Sequence, residues 1–258
     1  HGKIIDTMIK DGLWDAYEDK HMGSCAEICA QEYKFTREEQ DKFTISSYKK
    51  SQMAQKDGIF NREITPVKYK NGKGEGIIVQ KDEEPFRVNF DKIPLLKPVF
   101  DRNGTITAAN ASTINDGAAA VLVTTEEFAL NKGLSIKSRL IAQASIAQKP
   151  ERFTTAPIKA IKKVLNRSGL TIDEIDLFEI NEAFSVVVMA AMKDLKIDSE
   201  KVNIFGGAVS LGHPIGASGT RIVCTLLNAM EQKKARYGLA AICIGGGEAS
   251  AVIFERLG

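Results

Sequence analysis

From residue 136 onward, strand-length apolar runs alternate with helix-length amphipathic ones. That alternation restricts the chain to a layered α/β architecture. Residues 140–146 read as a strand. Thr155 is a candidate N-cap for a helix carrying Ile158, Ile161, Val164 and Leu165 at helical spacing, and Gly169 lies just past its end. Residues 175–180 alternate as a strand does, 181–195 read as an apolar helix, and 202–205 as a short strand. A Gly-rich loop leads into a helix over about 215–232, and strands at 239–244 and 249–254 are separated by Gly245-Gly246-Gly247. Earlier in the chain, Thr36 and Glu39 form a capping box for a helix over 36–57 that Gly58 ends. Residues 59–100 are loop and short-strand material with Gly, Pro and many Lys. Residues 104–122 are dense in small side chains, which let backbone pack closely on backbone or on a ligand.

A chain of 258 residues is long enough for one large domain or two modest ones. The formal net charge of +2 gives no global pull towards nucleic acid or membrane, and neither partner is expected. No apolar run reaches the roughly 18 residues of a membrane span. The first residues, beginning with His1 rather than Met, resemble neither a signal nor a transit peptide and do not read as a natural start. Cys25, Cys29, Cys224 and Cys243 contain no Cys-x-x-Cys pair, and histidine is limited to His1, His21 and His213. A zinc site and a disulfide framework are therefore not expected, and reduced thiols are. Cys25 and Cys29, four residues apart, would share one helix face as packing residues.

Two segments set a reactive side chain among glycines. His213 lies in Gly212-His213-Pro214-Ile215-Gly216, ahead of a helix whose start supplies oriented backbone donors. Cys243 ends an apolar strand and opens the triple-glycine turn, where amides after it are open. Imidazole and thiol can both exchange protons near neutral pH. The bland alternatives are a turn histidine bonded to a carbonyl and an inert buried strand cysteine. Asn181 stands at another strand-to-helix junction; it either caps the helix or holds a water or an oxyanion. Three strand ends thus present Asn181, His213 and Cys243, and in sheet proteins sites gather at such ends.

Asn-Glu-Ala-Phe at 181–184, Gly-Gly-Ala-Val-Ser-Leu-Gly-His-Pro-Ile-Gly-Ala-Ser-Gly at 206–219 and Cys-Ile-Gly-Gly-Gly at 243–247 resemble the thiolases. Asp11-Gly12-Leu13-Trp14-Asp15-Ala16 and His21-Met22-Gly23 resemble the loop region of the biosynthetic and acetoacetyl-CoA members. Within the family the chain is most similar to the potassium-activated, mitochondrial-type acetoacetyl-CoA thiolases. The resemblance implies the layered thiolase fold (α-β-α-β-α). It divides the chain into a CoA-binding loop domain at 1–112, a remnant of the N-terminal domain at 103–134 and the C-terminal domain at 135–258.

It also implies acetyl-CoA C-acetyltransferase chemistry, in which two acetyl-CoA condense reversibly to acetoacetyl-CoA and CoA. Family members carry their nucleophilic cysteine in the N-terminal third, and neither Cys25 nor Cys29 sits in that context. The chain is therefore expected to be the later two-thirds of a thiolase, with the nucleophile on a missing N-terminal portion. Edges left by that portion would be exposed and adhesive, so the piece is not expected to be stable alone. His213 would activate the nucleophile and then bond a thioester oxygen together with Asn181 acting through a water. The Gly245 amide would serve a second oxyanion hole, and Cys243 would move the α-proton. Oriented donors are worth roughly 3–4 kcal/mol each in comparable oxyanion sites.

By the same resemblance Tyr48, Arg87, Val88, Asn89, Lys92 and Ser112 would contact CoA, with Arg87 and Lys92 otherwise ordinary solvated charges. His21, Met22 and Phe184 would line the acyl pocket. Tyr48 with the carbonyls of Ala108, Ala109, Ala111 and Val209 would hold potassium; the alternative is that this small-residue run merely packs tightly. No redox cofactor is implied. A homotetramer in the mitochondrial matrix is the implied assembly and location, with the cytoplasm as the alternative. The competing functions are a thiolase for longer 3-ketoacyl-CoAs and a non-catalytic CoA-binding or assembly subunit.

Overall fold

The computed structural model of the chain describes residues 2–257, so His1 and Gly258 lie outside the described residues. A two-residue antiparallel pair, β1 (Trp14–Asp15) and β2 (Lys20–His21), leads directly into α1 (Met22–Tyr33). His21 is the N-cap of α1, its Nδ1 accepting from the Gly23 amide at 3.0 Å. Lys34, in the left-handed region at φ 56°, ends that helix. Glu27 of α1 is buried, and its carboxylate accepts from the Thr105 and Ile106 amides; Gly104 is required there because a Cβ would stand 2.2 Å from Glu27 Oε1.

The helix α2 (Arg37–Lys56) starts at the Thr36–Glu39 capping box expected from sequence. Arg37 forks onto Asp41 and reaches the carbonyls of Ile93 and Leu96, which fastens the 93–96 segment to the helix. An exposed hairpin follows, β3 (Val67–Lys70) against β4 (Gly76–Val79). Residues 98–125 form no helix or strand beyond isolated bridges, and α3 (Glu126–Asn131) is a short helix capped by Thr125. Leu122 and Val123 are about four-fifths exposed, at 81% and 79%.

The remaining elements build a four-stranded sheet and its helices: β5 (Ser138–Ala147), α4 (Ala156–Ser168), β6 (Leu177–Ile180), α5 (Ser185–Leu195), α6 (Ala208–Leu211), α7 (Ser218–Lys233), β7 (Tyr237–Ile244) and β8 (Glu248–Arg256). The strand order is β5-β8-β7-β6, parallel between β6 and β7 and antiparallel elsewhere. Successive side chains of a strand point to opposite faces. Leu239, Ala241 and Cys243 of β7 accordingly pack with residues of α1, α4 and α5, while Ala240 and Ile242 pack with Ile222, Leu226 and Met230 of α7. The result is helix, sheet, helix, the α/β layering expected.

Several boundaries differ from the sequence reading, each for a local reason. Thr155 precedes α4 but does not cap it, because its hydroxyl is engaged by Arg152 O and Gln148. The strand β6 does not alternate; all four of its residues are buried, as expected for a strand covered on both faces. The helix α5 begins at Ser185, so Asn181 is not its cap but stands at the end of β6. Residues 202–205 form only a bridge, Val202 to Phe178, since Asn203 turns the chain at φ 45°. The helix α7 starts at Ser218, after the Pro214 turn.

Candidate active site

The ends of β6 and β7 lie side by side. The Asn181 amide donates to Ala241 O at 2.9 Å, two residues before Cys243. From there the Asn181 side chain reaches His213: Nδ2 stands 3.3 Å from Nε2 of the ring. His213 is held from its other side by Ser218, whose Oγ is 2.6 Å from Nδ1 and 3.0 Å from Pro214 O. A carbonyl only accepts, so Ser218 donates to Pro214 O and accepts from Nδ1–H. That leaves the Nε2 lone pair facing Asn181, the form a general base needs. Asn181 Oδ1 is buried without a protein partner.

The backbone at His213 is fixed by the small-residue segment. Its amide donates to Thr113 O at 3.0 Å, and Ile114 forms a parallel bridge with it. Gly212 must be glycine: its φ is +93°, and a Cβ would lie 2.1 Å from Asn115 Oδ1. Ser112 clamps the neighbouring loop, its amide and hydroxyl both donating to Ala183 O. One strap thus touches both the 181–184 loop and the His213 turn.

Cys243 is buried on the face that also holds Met22, Ala183 and Phe184. Burial pushes its thiol up to about 12, so it is protonated at neutral pH. The turn after it is anchored by Gly247, whose carbonyl accepts from Gln148 N and whose φ of +85° suits glycine. Gly245 is exposed, and among the described residues its N–H donates to no protein acceptor. Met22 Cε lies against it, 3.1 Å from the place a Cβ would occupy.

Burial, with the Arg221 charge adding, pushes His213 down to about 4, so the ring is neutral at neutral pH. An unfolded imidazole titrates near 6.5, so as pH falls the unfolded chain takes the proton first. The stability held by the neutral ring is complete above 6.5 and is lost between there and about 4. The His213→Gln variant is expected to lose less stability over that window than the parent. Urea midpoints at pH 7 and pH 5 check this, and equal losses in both proteins would contradict the buried neutral ring.

The acyl-pocket candidates are linked through a residue that sequence reading missed. Phe100 stacks on His21 with ring centroids 4.7 Å apart and meets Phe184 edge-on at 6.3 Å; Phe153 meets Phe184 from another side at 6.4 Å. A lone phenylalanine in a loop carries no sequence signal. Ser218 was legible only as a member of the Gly-His-Pro motif, five residues after the histidine.

Among the CoA candidates, Arg87 is exposed and paired with Glu83 and Glu84. Lys92 is exposed, Val88 is partly buried, and Asn89 caps the 90–95 turn through Asp91 N. Tyr48 is buried, lies edge-on to Phe90 at 6.3 Å and sits on α2, which packs against α6. Among the described residues no loop or side-chain hydrogen bond reaches the carbonyls of Ala108, Ala109 or Ala111, and Val209 lies within α6. Carbonyls and a hydroxyl are hard oxygen donors, the kind an alkali cation takes. Cys25 and Cys29 are both buried in α1 among the apolar residues of the core, and burial pushes each up to about 11.

Residues 1–127 match the description "Thiolase, N-terminal domain" and residues 134–256 match "Thiolase, C-terminal domain". The chain belongs to the thiolase family. It is 51% identical over 254 residues to a protein of Dictyostelium discoideum named probable acetyl-CoA acetyltransferase. It is 51% identical over 256 residues to the mitochondrial acetyl-CoA acetyltransferase of Rattus norvegicus. The solved Acat5 thiolase of Ascaris suum in complex with coenzyme A superposes with a TM-score of 0.92 at 45% identity. These matches cover 98%, 99% and 99% of this chain and 61%, 60% and 65% of those proteins. The thiolase chain thus spans under two thirds of the length of the relatives it matches.

Proposed function

We propose that the full protein is an acetyl-CoA C-acetyltransferase, condensing two acetyl-CoA to acetoacetyl-CoA and CoA and running the reverse thiolysis. The observation that carries this reading is the Asn181–His213 side-chain pair at the end of β6, beside the strand that delivers Cys243 and the free Gly245 amide. The nucleophilic thiol would come from chain outside these 258 residues: Cys25 and Cys29 pack in the core from α1, and Cys224 lies on α7 with its thiol donating to Ala120 O.

In this reading the nucleophile gives its proton to His213 Nε2, and the thiolate attacks acetyl-CoA. The resulting Nε2–H bonds the thioester oxygen, and Asn181 Nδ2, released from the Nε2 lone pair, reaches that oxygen through a water. Cys243 hands its proton to the departing CoA thiolate, and as a thiolate it then takes the α-proton of the second acetyl-CoA. The enolate oxygen is met by oriented donors, the carbanion attacks the acetyl-enzyme carbonyl, and the nucleophile leaves and recovers its proton from His213. A neutral base and a protonated thiol in the free site are the states this sequence requires.

Arg87 and Lys92 suit the nucleotide phosphates of CoA, Tyr48, Val88, Asn89 and Ser112 its remaining contacts, and His21, Met22 and Phe184 the acyl group. Steady-state rates of the full-length protein on acetoacetyl-CoA and on longer 3-ketoacyl-CoAs test the substrate. Faster thiolysis of the longer thioesters would replace this reading with the longer-chain one, and CoA binding without thiolysis would leave a non-catalytic subunit. Potassium held by Tyr48 and the carbonyls of Ala108, Ala109, Ala111 and Val209 should raise the rate above that in sodium, and Tyr48→Phe should reduce the difference. Equal rates in both salts would remove the ion. A homotetramer in the mitochondrial matrix is the assembly and compartment proposed, the latter on the mitochondrial name of the rat relative.

A further inference from the structure

Glu182 follows Asn181 directly and is 1% exposed. Three donors converge on its carboxylate: Ser47 Oγ of α2 at 2.7 Å, Asn203 Nδ2 at 2.9 Å and the Val209 amide at 3.1 Å. Gly207 makes room for it, since a Cβ there would stand 2.3 Å from the carboxyl carbon. Val209 lies in α6, which runs straight into Gly212 and His213. The carboxylate therefore spans the two backbone segments that carry the Asn181 amide and the His213 ring.

We propose that Glu182 is a positioning residue of the thiolase site: its carboxylate ties the Asn181 loop to the start of α6 and so sets the contact between Asn181 Nδ2 and His213 Nε2. This rests on the acyl-transfer reading of that pair. Burial pushes the Glu182 carboxyl up and the three hydrogen bonds pull it back; Asn203 Nδ2 and the Val209 amide can only donate, one to each oxygen, so the acceptor-only carboxylate is the form the cradle matches. A glutamine of the same shape cannot replace it. Its NH2 must face either Asn203 Nδ2 or the Val209 N–H, a donor against a donor. Asn203 cannot turn its amide to relieve this, because its Oδ1 accepts from Ile180 N and its Nδ2 donates to Ile180 O. The loop must shift, and a shift of about 1 Å at reacting groups costs on the order of 10²-fold in rate.

A matched control lies two residues earlier. Glu179 is 2% exposed, sits on β6, and among the described residues receives no hydrogen bond at its carboxylate. Burial holds it up to about 8, so Glu179→Gln exchanges one neutral group for another at pH 7.

The test uses the full-length protein. Glu182→Gln is expected to lower kcat by about 10²-fold with KM for acetoacetyl-CoA within about twofold, and Glu179→Gln to stay within about threefold in kcat. A crystal structure of Glu182→Gln is expected to show the 181–213 contact opened beyond about 3.5 Å, and this readout needs no turnover. Should Glu182→Gln fail to fold, Ser47→Ala removes one donor and is expected to cost kcat about three- to tenfold at unchanged KM. A folded Glu182→Gln that keeps its rate and the 3.3 Å contact overturns the proposal, as does an equal loss in Glu179→Gln or an unaltered kcat in Ser47→Ala. If the unsubstituted protein shows no thiolysis, the acyl-transfer reading falls, and the crystallographic distance alone decides whether Glu182 positions the pair.

Discussion

Replacing His213 by alanine in the full-length protein is expected to lower kcat for thiolysis by about 10³–10⁴-fold, with KM changed far less. Two losses combine in that figure. The ring is placed to take a proton at the Asn181 end of the site, and general-base transfer is worth about 10²–10⁴-fold. In the proposed reaction the same Nε2 would donate to the thioester oxygen, and a lost oxyanion donor costs about 10²–10³-fold. The two are one residue acting in sequence, so they do not multiply fully. Because burial holds the ring down to about 4, the acid limb of kcat/KM should fall below the ordinary imidazole range. His213→Gln keeps a donor but no base, so it should recover only a small part of the loss. A rate for His213→Ala within tenfold of the parent would remove His213 from the chemistry.

Replacing Cys243 by serine is expected to lower condensation and thiolysis by about 10²–10⁴-fold. The hydroxyl fits where the thiol sits, on the face shared with Met22 and Phe184, so packing is nearly preserved. Its acidity is not: a hydroxyl gives up its proton far less readily than a thiol, even one that burial has pushed up to about 12. The α-proton then has no acceptor of matched strength. Thermal stability within a few degrees of the parent, together with the lost rate, separates chemistry from packing. If Cys243→Ser retains the rate, the buried cysteine is the inert strand residue that its position alone would suggest.

Much of the fold was legible because its signals are local. The Thr36–Glu39 capping box, the left-handed Gly169 after α4 and the triple-glycine turn between β7 and β8 each depend on a few neighbouring residues. The boundary errors came from tertiary competition. Thr155 spends its hydroxyl on Gln148 and Arg152, and Asn203 folds back onto Ile180 where a strand was expected. In the site, the Asn181, His213 and Cys243 positions stand in ordered motifs and were readable. Their supports were not. Ser47 lies 135 residues from Glu182, and Phe100 meets His21 and Phe184 only in three dimensions. Glu182 stands inside the Asn-Glu-Ala-Phe motif at 181–184, yet a single acidic letter does not reveal that three donors from separate segments close on it.

If Cys243 moves the α-proton of a thioester whose oxygen is held by oriented donors, acetyl-CoA incubated in D2O takes up deuterium in its methyl group without net condensation, a change that mass spectrometry reads. The full-length protein should catalyse that exchange, and Cys243→Ser should abolish it while still binding acetyl-CoA. Exchange at the parental rate in Cys243→Ser would contradict the account.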